Sequence, residues 1–345
     1  MYNERNFQMD WTIFMLILQT CISGLTDVVA RALAEMGVAG EINKLDGALI
    51  YEADVPMAMD MCNNTFELLL QRPLLGNGAL DQLMDEALKR RDALPLRPVA
   101  GNKRTFRIVS SRENTLCAVN GSKKTQLEQL IAKRTGLKPD RGLADIEYWL
   151  YSRSEGQSFL LRRLSYNRVT EKQLQKGELR PELCRVMNYL SVPTAEDIWL
   201  DPFSGSGALA LARQSMGGYQ KLYALDIDAQ KAVALMDRLG LDKRIETACA
   251  DIAHIGKLIP AGSVNKIVTD PPWGFYEQID LPSFYQQMWQ MISQPASKGA
   301  RIVLLSARLA EMEQSIANQQ DFKVKETYHI LVNGKKACIY VIERT

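Results

Sequence analysis

Five consecutive residues, Asp270-Pro271-Pro272-Trp273-Gly274, place a carboxylate, a rigid backbone and an aromatic face in one short turn. That set suits work on the exocyclic amine of a nucleobase. Such an amine is a poor nucleophile, because its lone pair is delocalised into the ring. A carboxylate and a backbone carbonyl accepting its two N–H bonds would hold the nitrogen with its lone pair facing a methyl donor. Asp270 supplies the carboxylate. Pro271 has a fixed φ and no N–H, so its carbonyl can be presented from a rigid turn. Trp273 offers a face on which an extruded base would stack, a contact worth about 1–3 kcal/mol per base. Asp270, Pro271, Pro272 and Trp273 are therefore the candidate catalytic residues. The reaction would be an in-line methyl transfer from sulfur to nitrogen, driven by positioning and needing no metal.

The second informative string is Asp201-Pro202-Phe203-Ser204-Gly205-Ser206-Gly207-Ala208-Leu209-Ala210, a strand end running through a glycine turn into a helix. Gly205, Gly207 and Ala210 fit GxGxxA, and Asp226 follows Gly207 by 19 residues. By the general rule that acidic residue binds ribose hydroxyls, so a dinucleotide oxidoreductase is one reading. Charge separates the cofactors. Asp201, Asp226 and Asp251 recur at intervals of 25 residues, about one α/β unit, and so line one edge of a sheet. No Lys or Arg lies between Asp201 and Ala212, where a pyrophosphate would want positive charge. S-adenosylmethionine has no phosphate and carries net positive charge, and an acidic rim suits it. The expectation is Asp201 near its ammonium, Asp226 on its ribose, and Asp251 on the adenine amine with Ile252 against the ring. Phe203, Ser204, Gly205, Gly207 and Ile227 complete the expected cofactor-binding set.

The elements that must position these groups read as three stretches. Residues 169–345 show a doubly wound α/β pattern, with strands at Asp197–Pro202, Leu222–Asp226, Ile245–Cys249, Lys266–Asp270 and Arg301–Ser306. Asn333-Gly334 between two β-like runs predicts a closing antiparallel hairpin. Residues 1–96 read as α+β: strands at Thr12–Gln19, Ala48–Tyr51 and Phe66–Leu70, helices over Asp27–Gly37 and Asp81–Arg91, and another helical stretch after Val55-Pro56. Residues 97–168 read as a basic α/β module, with strands at Thr105–Ser110, Asp145–Arg153 and Ser158–Leu164 around a helix at Thr125–Thr135.

Charge follows the same divisions. The chain of 345 residues has a formal net charge of only +2. Residues 1–96 hold 7 basic against 14 acidic side chains, residues 97–180 hold 18 against 8, and the remainder 17 against 18. The basic stretch points to nucleic-acid phosphate contact through Lys103, Arg104, Arg107, Lys123, Lys124, Lys133 and Arg134. Six scattered cysteines and two histidines speak against a zinc site, and free thiols fit a reducing cytoplasm. The apolar run Trp11–Leu18 is too short to span a bilayer and lacks the flanks of a signal peptide, so no membrane partner is expected.

Together these motifs resemble the class I, S-adenosylmethionine-dependent RNA methyltransferases that carry an N-terminal THUMP domain, over nearly the whole chain. Asp201–Gly207 looks like their cofactor loop and Asp270–Gly274 like their catalytic motif. Gly177-Glu178-Leu179-Arg180-Pro181 looks like the segment that closes over the cofactor, which implies cofactor contact for Arg180 and Pro181. Gly24–Val29 is similar to the start of the first helix in their ferredoxin-like part. The resemblance implies a Rossmann-like catalytic sheet after a ferredoxin-like and THUMP RNA-binding part, methylation of guanosine N2 in transfer RNA, and no obligatory protein partner. Trp273 stands where many members have Tyr, and Ala208 where many have Thr; neither change removes Asp270. Ribosomal RNA as substrate, adenine N6 as target, and a noncatalytic RNA-binding protein stay open on the residues alone.

Overall fold

The computed structural model describes residues 14–99, 101–165, 174–175, 177–250, 255–275 and 279–345. The expected cofactor residues Asp251 and Ile252 lie outside the described residues. Packing divides the chain into two units, one of residues 1–20, 32–59 and 64–167, the other of 21–31, 60–63 and 168–345. No helix among the described residues is long and apolar enough to cross a membrane.

In the first part of the chain, β1 (Met15–Thr20) is followed by α1 (Thr26–Glu35), β2 (Asn43–Leu45), β3 (Ala48–Ala53), β4 (Asn64–Arg72) and α2 (Ala79–Lys89). Then come β5 (Thr105–Arg112), β6 (Thr115–Leu116), α3 (Gly121–Thr135), β7 (Lys138–Pro139), β8 (Ile146–Ser152) and β9 (Ser158–Arg163). All nine strands form one sheet, ordered β2-β3-β1-β4-β9-β8-β5-β6, with β7 beside β5. The antiparallel pairing of β4 with β9, from Phe66 opposite Arg163 to Arg72 opposite Ser158, makes residues on both sides of position 96 one sheet. Leu80, Leu83 and Met84 of α2 and Leu127 and Ile131 of α3 bury against Phe106, Tyr148, Leu150 and Leu160.

The helix expected after Val55-Pro56 is only a 3-10 turn, Met59–Met61. Its backbone is engaged elsewhere: Gln19 donates its side-chain amide to the Met57 carbonyl at 2.7 Å, and the Met57 N–H donates to the Tyr51 hydroxyl at 3.1 Å. Ala58, at φ 48°, then breaks the helical path.

The second unit contains α4 (Pro181–Leu190), β10 (Ile198–Asp201), α5 (Ala208–Ser215), β11 (Lys221–Asp226), α6 (Ala229–Leu239), β12 (Ile245–Cys249) and α7 (Ile255–Leu258). It continues with β13 (Val264–Thr269), α8 (Leu281–Ser293), β14 (Ala296–Ser306), α9 (Leu309–Ala317), β15 (Phe322–Val332) and β16 (Lys335–Arg344). The strand order is β12-β11-β10-β13-β14-β16-β15. Strands β10 to β14 are parallel, and β16 enters antiparallel to β14. The expected doubly wound sheet with a closing hairpin is therefore present. The hairpin turns on Asn333 and Gly334, at φ 50° and 77°, the two positive values a type I′ turn requires. Tyr285, Met288, Trp289 and Ile292 of α8 pack on Ile267, Ile302, Leu304 and Tyr340 of the sheet.

From β10 the chain winds outward first through β11 and β12, then returns to lay β13 on the other side of β10. The ends of β10 and β13 thus flank the point where strand order reverses. Open α/β sheets bind their ligands in the crevice at that point.

Candidate active site

Each of these two neighbouring strands delivers a carboxylate to the crevice. β10 ends on Asp201, and Asp270 follows directly after Thr269, the end of β13. Asp201 is 1% exposed, and its Oδ1 accepts from the Thr269 hydroxyl at 2.8 Å and from the Phe203 N–H at 3.1 Å. Burial, with the nearby charge of Asp226 adding, pushes the Asp201 carboxyl up to about 7 although these hydrogen bonds favour the ionised form.

The glycine loop is tied to the end of β11. Ser204 donates its N–H to the Leu225 carbonyl at 2.8 Å, and Gly205 donates its N–H to Asp226 Oδ2 at 2.8 Å. The other Asp226 oxygen accepts the Asp228 N–H at 2.9 Å. Gly207 (φ 82°) caps α5, and a Cβ there would lie 2.4 Å from Leu235 Cδ2. Gly205 is at φ 51°, and the space a Cβ would take beside it is open. A ligand can therefore reach the loop backbone at Gly205, while Gly207 serves helix packing.

Arg238 of α6 bridges this loop to the segment before α4. It donates to the Ser206 carbonyl at 2.7 Å and pairs with Glu178. Pro181 occupies the first turn of α4, and the Arg180 guanidinium donates to Glu182 at 2.7 Å. Phe203 is half-buried against Phe284, and Ile227 is 71% exposed beside Asp226.

The turn after β13 carries the catalytic candidates. Asp270 Oδ1 and Trp273 Nε1 are both shielded from solvent, and the Trp273 indole is the polar side chain that favours the ionised form of the Asp270 carboxyl. Burial, reinforced by Asp201, pushes the Asp270 carboxyl well above the usual carboxylate range. Pro271 is buried between them, and the Trp273 ring meets Phe275 edge-on at 6.1 Å. A buried carboxyl beside an aromatic ring can accept from an amine-bearing base, since a buried acceptor with spare lone pairs gains from a further donor.

Arg308 holds this turn. Its Nε donates to the Trp273 carbonyl at 2.8 Å, a second nitrogen reaches the Gly274 carbonyl at 3.4 Å, and its guanidinium lies 4.2 Å from the Phe275 ring centre. Neither Arg308 nor Thr269 was expected from the sequence. Thr269 leaves a faint signal, a hydroxyl ending the apolar run Ile267-Val268; Arg308 leaves none, being 35 residues beyond Trp273.

The seven expected phosphate contacts lie in the first unit. Arg107 pairs with Glu147, Lys123 with Asp85 at 2.6 Å, and Arg134 donates to the Arg91 and Leu94 carbonyls. Arg104 reaches the Gly101 carbonyl at 3.5 Å. Lys103 precedes β5 and is likewise engaged by a neighbour. Lys124 is half-buried and Lys133 exposed on α3.

Comparison with known proteins bears on the same residues. Residues 168–337 match the family model described as UPF0020: RMKL-like, methyltransferase domain. A tRNA (guanine(10)-N2)-dimethyltransferase of Methanocaldococcus jannaschii is 33% identical over 110 residues, 30% of this chain and 31% of the relative. A tRNA (guanine(6)-N2)-methyltransferase of Thermus thermophilus is 25% identical over 181 residues, 49% of this chain and 51% of the relative. The chain thus spans about a third to a half of the length of these curated relatives. Among solved structures, TrmN from Thermus thermophilus superposes with a TM-score of 0.77 at 19% identity, covering 96% of this chain and 100% of that one. SMU.472, solved in complex with SAH, gives a TM-score of 0.67 at 12% identity over 95% of this chain and 97% of that one. The shared fold extends over both units, and the sequence match falls on the unit that holds Asp201, Asp226 and Asp270: residues 168–337 are similar to the methyltransferase domain of the RMKL-like family.

Proposed function

We propose that this chain transfers a methyl group from S-adenosylmethionine to the exocyclic N2 of a guanosine in transfer RNA. The observation that carries the reading is the buried Asp270 carboxyl beside Trp273 in the Pro-Pro-Trp turn at the switch point of the sheet. The printed activities of the two curated relatives support it, as does the SAH held by SMU.472.

The crevice fits the cofactor on its own chemistry. Two carboxylates, Asp201 and Asp226, meet a ligand of net positive charge, and Gly205 leaves its backbone open to approach. Asp226 would hold the ribose, Phe203 and Gly205 the body of the molecule, and Asp201 its ammonium. Asp251 and Ile252 remain the proposed adenine contacts, and Arg180 and Pro181 the proposed cover. When bound, the cofactor supplies a methyl group made electrophilic by its sulfonium.

The chain's own residues do the rest. Asp270 accepts one N–H of the base amine and the Pro271 carbonyl the other, which turns the nitrogen lone pair outward. Trp273 stacks on the base. The raised proton affinity of Asp270 suits it to take the proton that the nitrogen loses after transfer. Residues 97–168 would act as the THUMP-like grip on RNA, with Lys103, Arg104, Arg107, Lys123, Lys124, Lys133 and Arg134 on phosphates, in the cytoplasm.

Methylation of bulk RNA with labelled cofactor tests this reading. The expected product is N2-methylguanosine in the transfer RNA fraction after digestion to nucleosides. N6-methyladenosine would replace guanosine as the target, and label confined to ribosomal RNA would replace the substrate.

A further inference from the structure

The hairpin at the end of the second unit is longer than the sheet needs. Pairing between β14 and β16 ends at Ser306 opposite Cys338, whereas β15 and β16 continue through Ile330–Ala337 and Leu331–Lys336 to Val332–Lys335. Three residue pairs therefore overhang the end of β14, about 10 Å at strand rise. β15 and β14 both run antiparallel to β16, so the overhang projects from the edge where β13 delivers Asp270.

The overhang brings Lys335 onto the catalytic turn. Its Nζ lies 3.5 Å from the centre of the Phe275 ring, the same ring that carries the Arg308 guanidinium at 4.2 Å. Two of the Arg308 N–H donors go to the Trp273 and Gly274 carbonyls, which fixes the fork beside the turn. Residues 328–338 include Lys335 and Lys336 and no acidic side chain. A lysine at a turn ordinarily extends into water; here the aromatic ring of Phe275 collects two cations within two residues of Trp273.

The need for cations here is electrostatic. Asp226 lies at this edge, and each of Asp201 and Asp270 that ionises adds to its repulsion of an incoming phosphodiester, yet a nucleotide cannot enter the crevice without bringing one. We propose that Arg308 and Lys335, gathered on Phe275, form the seat for the RNA phosphate next to the target nucleotide. The proposal rests on the reading of the site as an RNA methyltransferase.

Steady-state methylation of transfer RNA by the full chain, across salt concentrations from about 50 to 200 mM, tests it. Lys335→Glu should lower kcat/KM for RNA about tenfold at low salt and flatten the salt dependence by about one unit of log–log slope. Lys335→Arg should restore both. Calorimetric binding of S-adenosylmethionine by K335E at wild-type affinity shows that the fold is intact. Wild-type kcat/KM and slope in K335E overturn this proposal alone. An equal loss in Lys335→Gln and Lys335→Glu with the wild-type salt slope also overturns it, because that marks a packing contact. A wild-type chain that methylates no RNA overturns the parent reading and this one with it.

Discussion

The Thr269 hydroxyl donates to the Asp201 carboxylate at 2.8 Å, so the last residue of β13 grips the last residue of β10. That single buried bond fixes the residue immediately before Asp270 against the proposed cofactor carboxylate. Thr269→Val keeps the shape and removes the donor, leaving a buried carboxylate short of one partner. The cost should be about 1–3 kcal/mol of stability. Urea unfolding without cofactor measures it, and an unchanged midpoint would show that the bond contributes nothing.

Asp201 also gives the protein a pH signature. Its carboxyl is raised to about 7 in the fold, against about 3.9 in an unfolded chain. The folded state therefore binds the extra proton between those values, and this contribution to stability is complete below pH 4 and lost as pH rises to 7. The upper bound is about 4 kcal/mol. Asp270, also raised by burial, acts in the same direction. A positively charged ligand favours the ionised form, so affinity for S-adenosylmethionine should increase from pH 6 to pH 8. Calorimetry at the two values checks the sign; a decrease would remove Asp201 from the ammonium.

The turns and strand ends of this molecule are written locally, and that is why they were legible. Asn333-Gly334 specifies its hairpin through the positive φ that those two residues tolerate. The glycine loop and the carboxylates at 201 and 226 follow from the α/β repeat, because each unit returns the chain to the same edge. What could not be read depends on partners far along the chain. Lys123 pairs with Asp85, 38 residues earlier in the chain. Arg107 meets Glu147 across 40 residues, and Arg308 meets Trp273 across 35. The missing helix after Val55-Pro56 has the same cause: Gln19 and Tyr51 take the Met57 backbone groups that a helix would use.

Removing the proposed acceptor separates binding from chemistry. Asp270→Asn preserves volume but puts an N–H donor or a weaker acceptor where a carboxylate meets the base amine. Turnover should fall by at least about 10²–10³-fold, the scale seen when one preorganised electrostatic partner is lost. Cofactor affinity should stay within a few-fold, since Asp226 and Gly205 hold that side of the crevice. Single-turnover methylation with RNA and titration of the cofactor measure the two separately. Near-normal turnover in this variant would sink the mechanism.

The two loop glycines should fail in different ways. Alanine at 207 would place its Cβ 2.4 Å from Leu235 Cδ2, and Leu235 is fully buried on α6, so the leucine has little room to yield. The backbone there is at φ 82°, which adds about 1–2 kcal/mol for any residue with a Cβ. Gly207→Ala should therefore destabilise the protein by about 2–4 kcal/mol, the clash adding an overpacking cost to the backbone term. Gly205→Ala meets no atom within 4 Å and carries only the backbone penalty, yet its methyl fills the open face of the loop. Its stability should fall by about 1–2 kcal/mol while cofactor affinity falls tenfold or more, because the methyl stands where the ligand approaches. Thermal unfolding and cofactor titration on both variants separate packing from binding. Equal losses of affinity per unit of stability in the two would mean that Gly205 faces no ligand.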